Sequence, residues 1–373
     1  MAAEYTPEAL DELTRRVHAH LHRWGLPPTT AVELLNVSEN ATYALDVPGG
    51  SRCVLRLHRV GYSSAEEIAA ELSWMAALRR DGAADTAAPL PGRDGRAVQR
   101  LESVPLATAE GGARMESGVR TEGRPRVAVA AAGTEAEPAE ARPVTAARFA
   151  VLFERLPGKE PDASEAASWF ERLGEITARM HGHARAWVRP AGFARKRWDF
   201  AAMVGDSGFW GPWRAGIGLE AAGAAVIERA LSRVHEQLEA LGHGPGVFGL
   251  IHADMRLANL LVDGDRLRII DFDDCGFSWF LYDFATAVSF IEHEPQVPAL
   301  LRAWVRGYAR VQPLSTEALG LLPTFVVLRR VLLTAWLASH AEVPFAREMG
   351  TAYTRGTVAL AQQWLDGRYL ASG

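Results

Sequence analysis

Asp254, Asn259 and Asp271 stand together in the stretch HADMRLANLLVDGDRLRIID, residues 252–271, which contains His-x-Asp-x-x-x-x-Asn and ends in a second carboxylate. Phosphoryl transfer from ATP requires this set of parts. One carboxylate orients a hydroxyl and accepts its proton, while an amide oxygen and another carboxylate hold the magnesium ions that bridge the phosphates. Asp254 is the candidate catalytic base. It needs no raised pKa, because in a loose transition state its task is to hold the hydroxyl in line and take the proton late. The competing reading is a loop carboxylate that caps a backbone turn. Asn259 and Asp271 are the candidate Mg2+ ligands, since magnesium takes hard oxygen donors, few of them from protein, and completes its octahedron with phosphate oxygens.

The surrounding pattern can hold these groups on one side. A strand over 247–251 leads into the loop that carries Asp254 and Asn259. A hairpin turn at Asp263-Gly264-Asp265 follows, and the apolar run 267–270 delivers Asp271 back beside the loop. The acidic cluster Asp271-Phe272-Asp273-Asp274 closes the unit. Asp273 or Asp274 is expected to add a water-mediated metal ligand or to meet an amine on the substrate; a solvated turn is the alternative.

Composition sets the outer limits. The 373 residues are enough for two lobes with a substantial core, and 48% of them are hydrophobic, as in a globular chain. A net charge of −5 speaks against an electrostatic nucleic-acid binder. Cys53 and Cys275 have no near neighbours, so neither a disulfide framework nor a zinc site is indicated, which fits a reducing cytoplasm. The N-terminal MAAEYTPEALDELTRRV is acidic and helix-like, without the apolar core of a signal peptide. The apolar segment LGLLPTFVVLRRVLLTAWLASH carries Arg329 and Arg330 in its middle and is interrupted by Pro323, so it reads as a buried helix, not a membrane span.

Periodicity predicts a helix over 5–24, strands at 31–35, 41–47 and 52–58, and a helix opened by a Ser64/Glu67 capping box with Ile68, Leu72, Met75 and Leu78 on one face. Strands at 97–101 and 149–155 follow. Between them, residues 103–146 contain no aromatic residue and no Ile, which predicts a disordered or poorly ordered insertion, with a short strand at 126–130 also considered. Beyond Leu156-Pro157-Gly158 the chain turns helical. A capping box at Asp162/Glu165 is expected, then a stripe of Ala166, Trp169, Phe170, Leu173, Ile176 and Met180. Further helices are expected at 219–241, 280–292, 296–310, 316–339 and 345–365.

The catalytic stretch, with the longer string IIDFDDCGFSWFLYDFATAVS, resembles the aminoglycoside phosphotransferase/choline kinase superfamily, which shares the protein-kinase fold. Within it the chain looks close to type II homoserine kinases and stress-response kinases, and the DFDD acids point toward the latter. The resemblance covers most of the chain apart from 103–146, where the family normally has a short turn. It implies an α+β, protein-kinase-like two-lobe fold, with a small antiparallel-sheet N-lobe (1–155) and a larger, mostly helical C-lobe (156–373).

The resemblance also implies roles. His252 and Asp283 support the catalytic loop. Arg56 takes the place of the basic residue that reaches the ATP phosphates, with Glu71 as its partner; Arg59 or His58 is the alternative. That assignment asks Val54 and Leu57 to share a face with Arg56, which strand alternation only partly predicts. Ser38-Glu39-Asn40-Ala41-Thr42 is the expected phosphate-covering turn, with Ser38, Asn40 and Thr42 as nucleotide contacts, and Phe153–Leu156, including Glu154 and Leu156, is the expected adenine hinge. Aromatic residues near the acids, Trp198, the run from Phe209 to Trp213, and Trp279, suit a cationic amine or else pack the core. The expectation is a cytoplasmic, ATP- and Mg2+-dependent phosphotransferase acting on a small hydroxylated metabolite: an amino alcohol, hydroxy amino acid or aminoglycoside-like molecule. No nucleic acid or membrane partner is expected, and the oligomeric state stays open. The alternatives are a Ser/Thr protein kinase of the stress-response type and a nucleotide-binding regulatory module without turnover.

Overall fold

The computed structural model describes residues 5–103, 146–162, 165–341 and 344–370. The expected insertion at 103–146 lies outside them apart from its first and last residues. The chain opens with α1 (Pro7–His20), capped by Thr6, whose hydroxyl accepts from Ala9 N, with Pro7 in the first turn where its missing N–H costs nothing. A 3-10 turn at Leu21–Trp24 and Gly25 at φ 73 end it, so the helix stops short of the expected boundary. Then come β1 (Ala31–Val37), β2 (Ala41–Asp46), β3 (Arg52–Leu57) and α2 (Ala65–Arg80). Ser64 and Glu67 form the expected capping box at the start of α2. The strands β4 (Pro89–Leu90), β5 (Val98–Leu101) and β6 (Arg148–Glu154) complete an antiparallel sheet of order β1-β2-β3-β6-β4, with β5 also paired to β6.

Period-two alternation divides this sheet between two cores. Ala150 and Leu152 of β6 join Cys53, Leu55 and Leu57 of β3 in a cluster covered by Leu13 and Val17 of α1. Val151 and Phe153 face the other way, into a cluster with Ile68, Leu72, Met75 and Leu78 of α2 that continues into the helical lobe.

The helical lobe holds α3 (Ala166–Ala186), β7 (Lys196–Arg197), α4 (Phe200–Val204), α5 (Ala221–Leu241), β8 (Phe248–Ile251), β9 (Leu260–Asp263), β10 (Arg266–Ile269), β11 (Gly276–Trp279), α6 (Tyr282–Ala287), α7 (Val297–Val311), α8 (Thr316–Gly320), α9 (Leu322–Ser339) and α10 (Pro344–Leu365). α3 starts at Ala166 with Glu165 as N-cap and no side-chain capping bond there, and residues 163–164 of the expected Asp162/Glu165 box lie outside the described residues. The helix expected over 280–292 ends at Ala287, ahead of Phe290 at φ 71. The helix expected over 316–339 is two helices, because Pro323 has no N–H to continue α8 and instead sits in the first turn of α9. α3 and α7 cross at Gly174 and Gly307, where a Cβ would run into the carbonyls of Trp304 and Glu171.

α9 is buried on all sides, from Thr324 to Leu337 without a break. The segment Thr316–Ser339 is long and apolar enough to cross a bilayer, but 72% of its apolar window is buried inside the protein, as in a core helix. Its two arginines are paired within that core: Arg330 with Glu292 at 2.6 Å, Arg329 with Asp254 at 2.9 Å.

Candidate active site

The loop between β8 and β9 is held from behind by α6. Both oxygens of Asp283 accept backbone N–H groups, from His252 (3.2 Å) and Ala253 (2.8 Å), and Thr286 Oγ1 accepts from Met255 N (3.0 Å). Burial holds the His252 imidazole below its ordinary pKa against the pull of Asp283 and Asp254, so the ring is neutral. One tautomer satisfies it: Nε2–H donates to Ile270 O (3.1 Å) while Nδ1 accepts from Asp254 N (3.2 Å). His252 thereby ties the loop to the strand exit that carries Asp271. Ala253 and Asp271 both adopt left-handed backbone, at φ 67 and φ 61. Non-glycine residues hold that conformation at a cost and concentrate at functional sites.

Asp254 Oδ2 accepts from Asn259 Nδ2 (2.7 Å) and Arg256 Nε (3.2 Å), and Oδ1 from Arg329 Nη2 (2.9 Å). Burial pushes its carboxyl up, but Arg256 and Arg329 outweigh it and hold the group below the usual carboxylate range. Asn259 also donates to Asp254 O (2.9 Å). With the amino side of the amide so engaged, its Oδ1 is the atom offered to a cation. The Asp271 carboxylate accepts from Arg56 Nη1 (3.1 Å) and stays 44% exposed to the cleft. One amide oxygen and one accessible carboxylate are a hard donor set that fits a divalent cation completed by phosphate oxygens.

On the sheet side, Arg56 Nη2 donates to Glu71 Oε1 at 2.5 Å, and both residues are buried. Burial opposes the Arg56 charge, but Glu71, Asp273 and Asp271 raise its pKa, so the guanidinium stays protonated. A cavity of about 380 Å3 opens here, lined by Thr42, Val54, Arg56, Leu156, Asn259 and Asp271 among others. Val54 shares the Arg56 face. Leu57 does not, because odd-numbered residues of β3 point into the core under α1. His58 and Arg59 are absent from this cavity. His58 is buried with Nδ1 3.7 Å from Asp273, and Arg59 N donates to Asn40 Oδ1. Along the expected hinge, Glu154 N donates to Ala88 O (3.0 Å) and its carboxylate accepts from Arg79 (2.7 Å) and Ala88 N (2.9 Å), so that N–H is not free for a nucleotide.

A second cavity, of about 260 Å3, lies on the opposite side of the loop and is lined by Glu39, Asp254, Asp274, Arg329, Trp210 and Trp336 among others. The turn between β1 and β2 is shared between the two spaces. Thr42 faces the first cavity, while Ser38 and Glu39 face the second. Asn40 does neither: its Nδ2 donates to Asp273 Oδ2 across the lobes at 2.7 Å.

Three of the candidate substrate contacts, Asp273, Trp198 and Trp279, do not line the second cavity, and for the two tryptophans the core-packing alternative describes their surroundings. Asp273 is buried against Asn40 and is held well below its ordinary pKa, because burial is outweighed by Arg56, Lys196, His58 and Arg195. Trp198 is buried and donates to Asp274 O (2.7 Å), and Trp279 is buried and donates to Gly242 O (2.9 Å). Neither lines the second cavity. Asp274 does, with Oδ1 accepting from Tyr62 OH (2.5 Å) and paired to Lys196 (3.4 Å).

The sequence expectations did not bring Arg329, Trp336 or Glu39 to the cavity beside Asp254, nor Arg195 to the acidic loop. Only the first carried a signal. An arginine in the middle of an apolar helix requires a buried partner.

This two-lobe arrangement, with an Asp–Asn–Asp set at the lobe boundary, is that of ATP-dependent phosphotransferases acting on hydroxyl groups. The chain belongs to the phosphotransferase enzyme family, whose sequence profile matches residues 30–314. It is similar to the structure of the microcompartment-associated aminopropanol kinase, with 37% identity, a TM-score of 0.78, and coverage of 95% of this chain and 98% of the other. Amicoumacin kinase of Bacillus subtilis (strain 168) is 26% identical over 194 residues, 49% of this chain, and the match spans only about half (54%) of that relative's length. A choline/ethanolamine kinase family protein from Mesorhizobium loti shares the fold, with a TM-score of 0.58, 18% identity, and coverage of 96% and 98%.

Proposed function

We propose that the chain transfers the γ-phosphate of Mg-ATP to the hydroxyl of a small amino alcohol. The observation that carries this reading is the placement of two cavities on either side of one loop. Asn259 and Asp271 face the cavity beside Arg56, and Asp254 faces the cavity beside Glu39 and Asp274. ATP bound in the first would direct its terminal phosphate toward the second. Bound Mg2+ would neutralise charge between the phosphates. Asp254, ionised and fixed at both oxygens, would align the acceptor hydroxyl and take its proton, while Arg256 and Arg329 keep it anionic.

The volume of the second cavity narrows the acceptor. At about 260 Å3 it lies under the roughly 300–1,000 Å3 of pockets for drug-sized ligands. That favours an amino alcohol over an aminoglycoside, and a protein acceptor would need an open surface. The similarity to an aminopropanol kinase points the same way. The test is Mg-ATP-dependent ADP release screened against amino alcohols, hydroxy amino acids, aminoglycosides and a generic protein acceptor, with Asp254→Ala as control. Stimulation by amino alcohols that is lost in the variant is expected. Tight ATP binding with no ADP formed on any acceptor would favour a nucleotide-binding regulatory module.

A further inference from the structure

The lining of the acceptor cavity is electrically lopsided. Its two guanidiniums, Arg256 and Arg329, both bond to Asp254. Glu39 and Asp274 line the same cavity, their carboxylates 15% and 14% exposed. Lys196 offsets Asp274 from outside the cavity, and Trp336 Nε1 donates to Glu39 Oε1 at 2.5 Å, which fixes that oxygen of the group. Trp210, Phe290 and Trp336 supply aromatic faces to the same space. A cavity that combines two further carboxylates and aromatic walls with the candidate base selects a short molecule that carries both a cation and a hydroxyl.

We propose that Glu39, on the turn between β1 and β2, forms with Asp274 the seat for the ammonium group of the acceptor. This rests on the phosphotransferase reading above and assigns the specificity of that site. Glu39 belongs to the sheet lobe and Asp274 to the helical lobe, so the ammonium joins the two. Thr42, at the start of β2 just past this turn, lines the nucleotide cavity.

The test compares kcat/KM for 1-amino-2-propanol and for 1,2-propanediol, which replaces the ammonium with a neutral hydroxyl of similar size. Native protein should prefer the amine. Glu39→Gln should lower the amine-to-diol ratio by about 10- to 100-fold, the range for one charge-assisted hydrogen bond. Isopropylammonium, which has no hydroxyl, should compete with the amine acceptor on native protein, a measurement that needs no variant. A folded Glu39→Gln protein with an unchanged ratio, or no competition by isopropylammonium, overturns the seat while phosphoryl transfer stands. ADP formation with no acceptor of either kind overturns the functional reading itself, and the seat with it.

Discussion

Arg329 Nη2 lies 2.9 Å from Asp254 Oδ1, tying the candidate base to the buried helix that walls the acceptor cavity. Ser289 Oγ accepts from Arg329 Nε at 3.0 Å, so the guanidinium is fixed before it meets the carboxylate. Arg329→Met should lower kcat by roughly 10- to 100-fold, the loss of a charge-assisted hydrogen bond worth ~1.5–3 kcal/mol. It should also shift the acid limb of the kcat profile to higher pH, because one of the two cations that depress the Asp254 pKa is gone. Steady-state rates across pH check both, and an unmoved limb would leave Arg329 a packing residue.

Asp254→Ala and Asp271→Ala should fail differently. The first should reduce kcat by roughly 10²- to 10⁴-fold, the usual scale for a general base, with Mg-ATP still bound. The second should weaken nucleotide binding only where Mg2+ contributes to it. Titrations of ATP with and without the metal separate the two, and identical metal dependence in Asp271→Ala and native protein would remove Asp271 from the ligand set.

Glu39 sets an expected pH dependence. Burial and the neighbouring Asp274 push its carboxyl up to about 7, against the Trp336 hydrogen bond. Asp254 also faces it, and His340, at the end of α9, comes within 3.9 Å. Below that value Glu39 is neutral and loses its hold on a cation. The kcat/KM for an amine acceptor should thus fall as pH drops through about 7, and Glu39→Gln should abolish that limb. The stability effect has the opposite sense. Between the ordinary 4.5 and about 7 the folded chain keeps a proton that the unfolded chain has lost, so stability declines as pH rises through this window. A thermal-melt series at fixed ionic strength reads it.

Asn40→Ala removes the donor that joins Asp273 to the sheet lobe. The buried carboxylate then lacks one partner, and unfolding free energy should drop by ~1–3 kcal/mol. Denaturant melts of the variant measure this, and a midpoint equal to that of native protein would show that the Asn40–Asp273 bond contributes nothing.

Local chemistry was legible. Alternating residues around Pro48-Gly49-Gly50 marked β2 and β3, Ser64 and Glu67 marked the start of α2, and the spacing of Asp254, Asn259 and Asp271 marked the loop. What pattern could not carry is partnership over distance. Arg329 and Asp254 are 75 positions apart, and Trp336 and Glu39 297 apart. Nor does composition distinguish a tryptophan that recognises a cation from one that fills a core. Trp210 reaches the cavity, while Trp198 and Trp279 end on backbone carbonyls. Helix breaks such as that at Pro323 depend on which register the neighbouring elements stabilise.

Arg195 has no place in either cavity. It is buried, and its guanidinium donates to Cys275 O (2.6 Å), to Asp273 O, and to Glu67 O (2.9 Å) in the first turn of α2. The helix that carries Glu71 is thus stapled to the acidic loop, and the Arg56–Glu71 pair is assembled in the free chain. Kinases governed by signals keep that helix loose and dock it on command. With the helix stapled this way the pair stands ready before any ligand arrives, so output would follow the supply of acceptor and the amount of protein made.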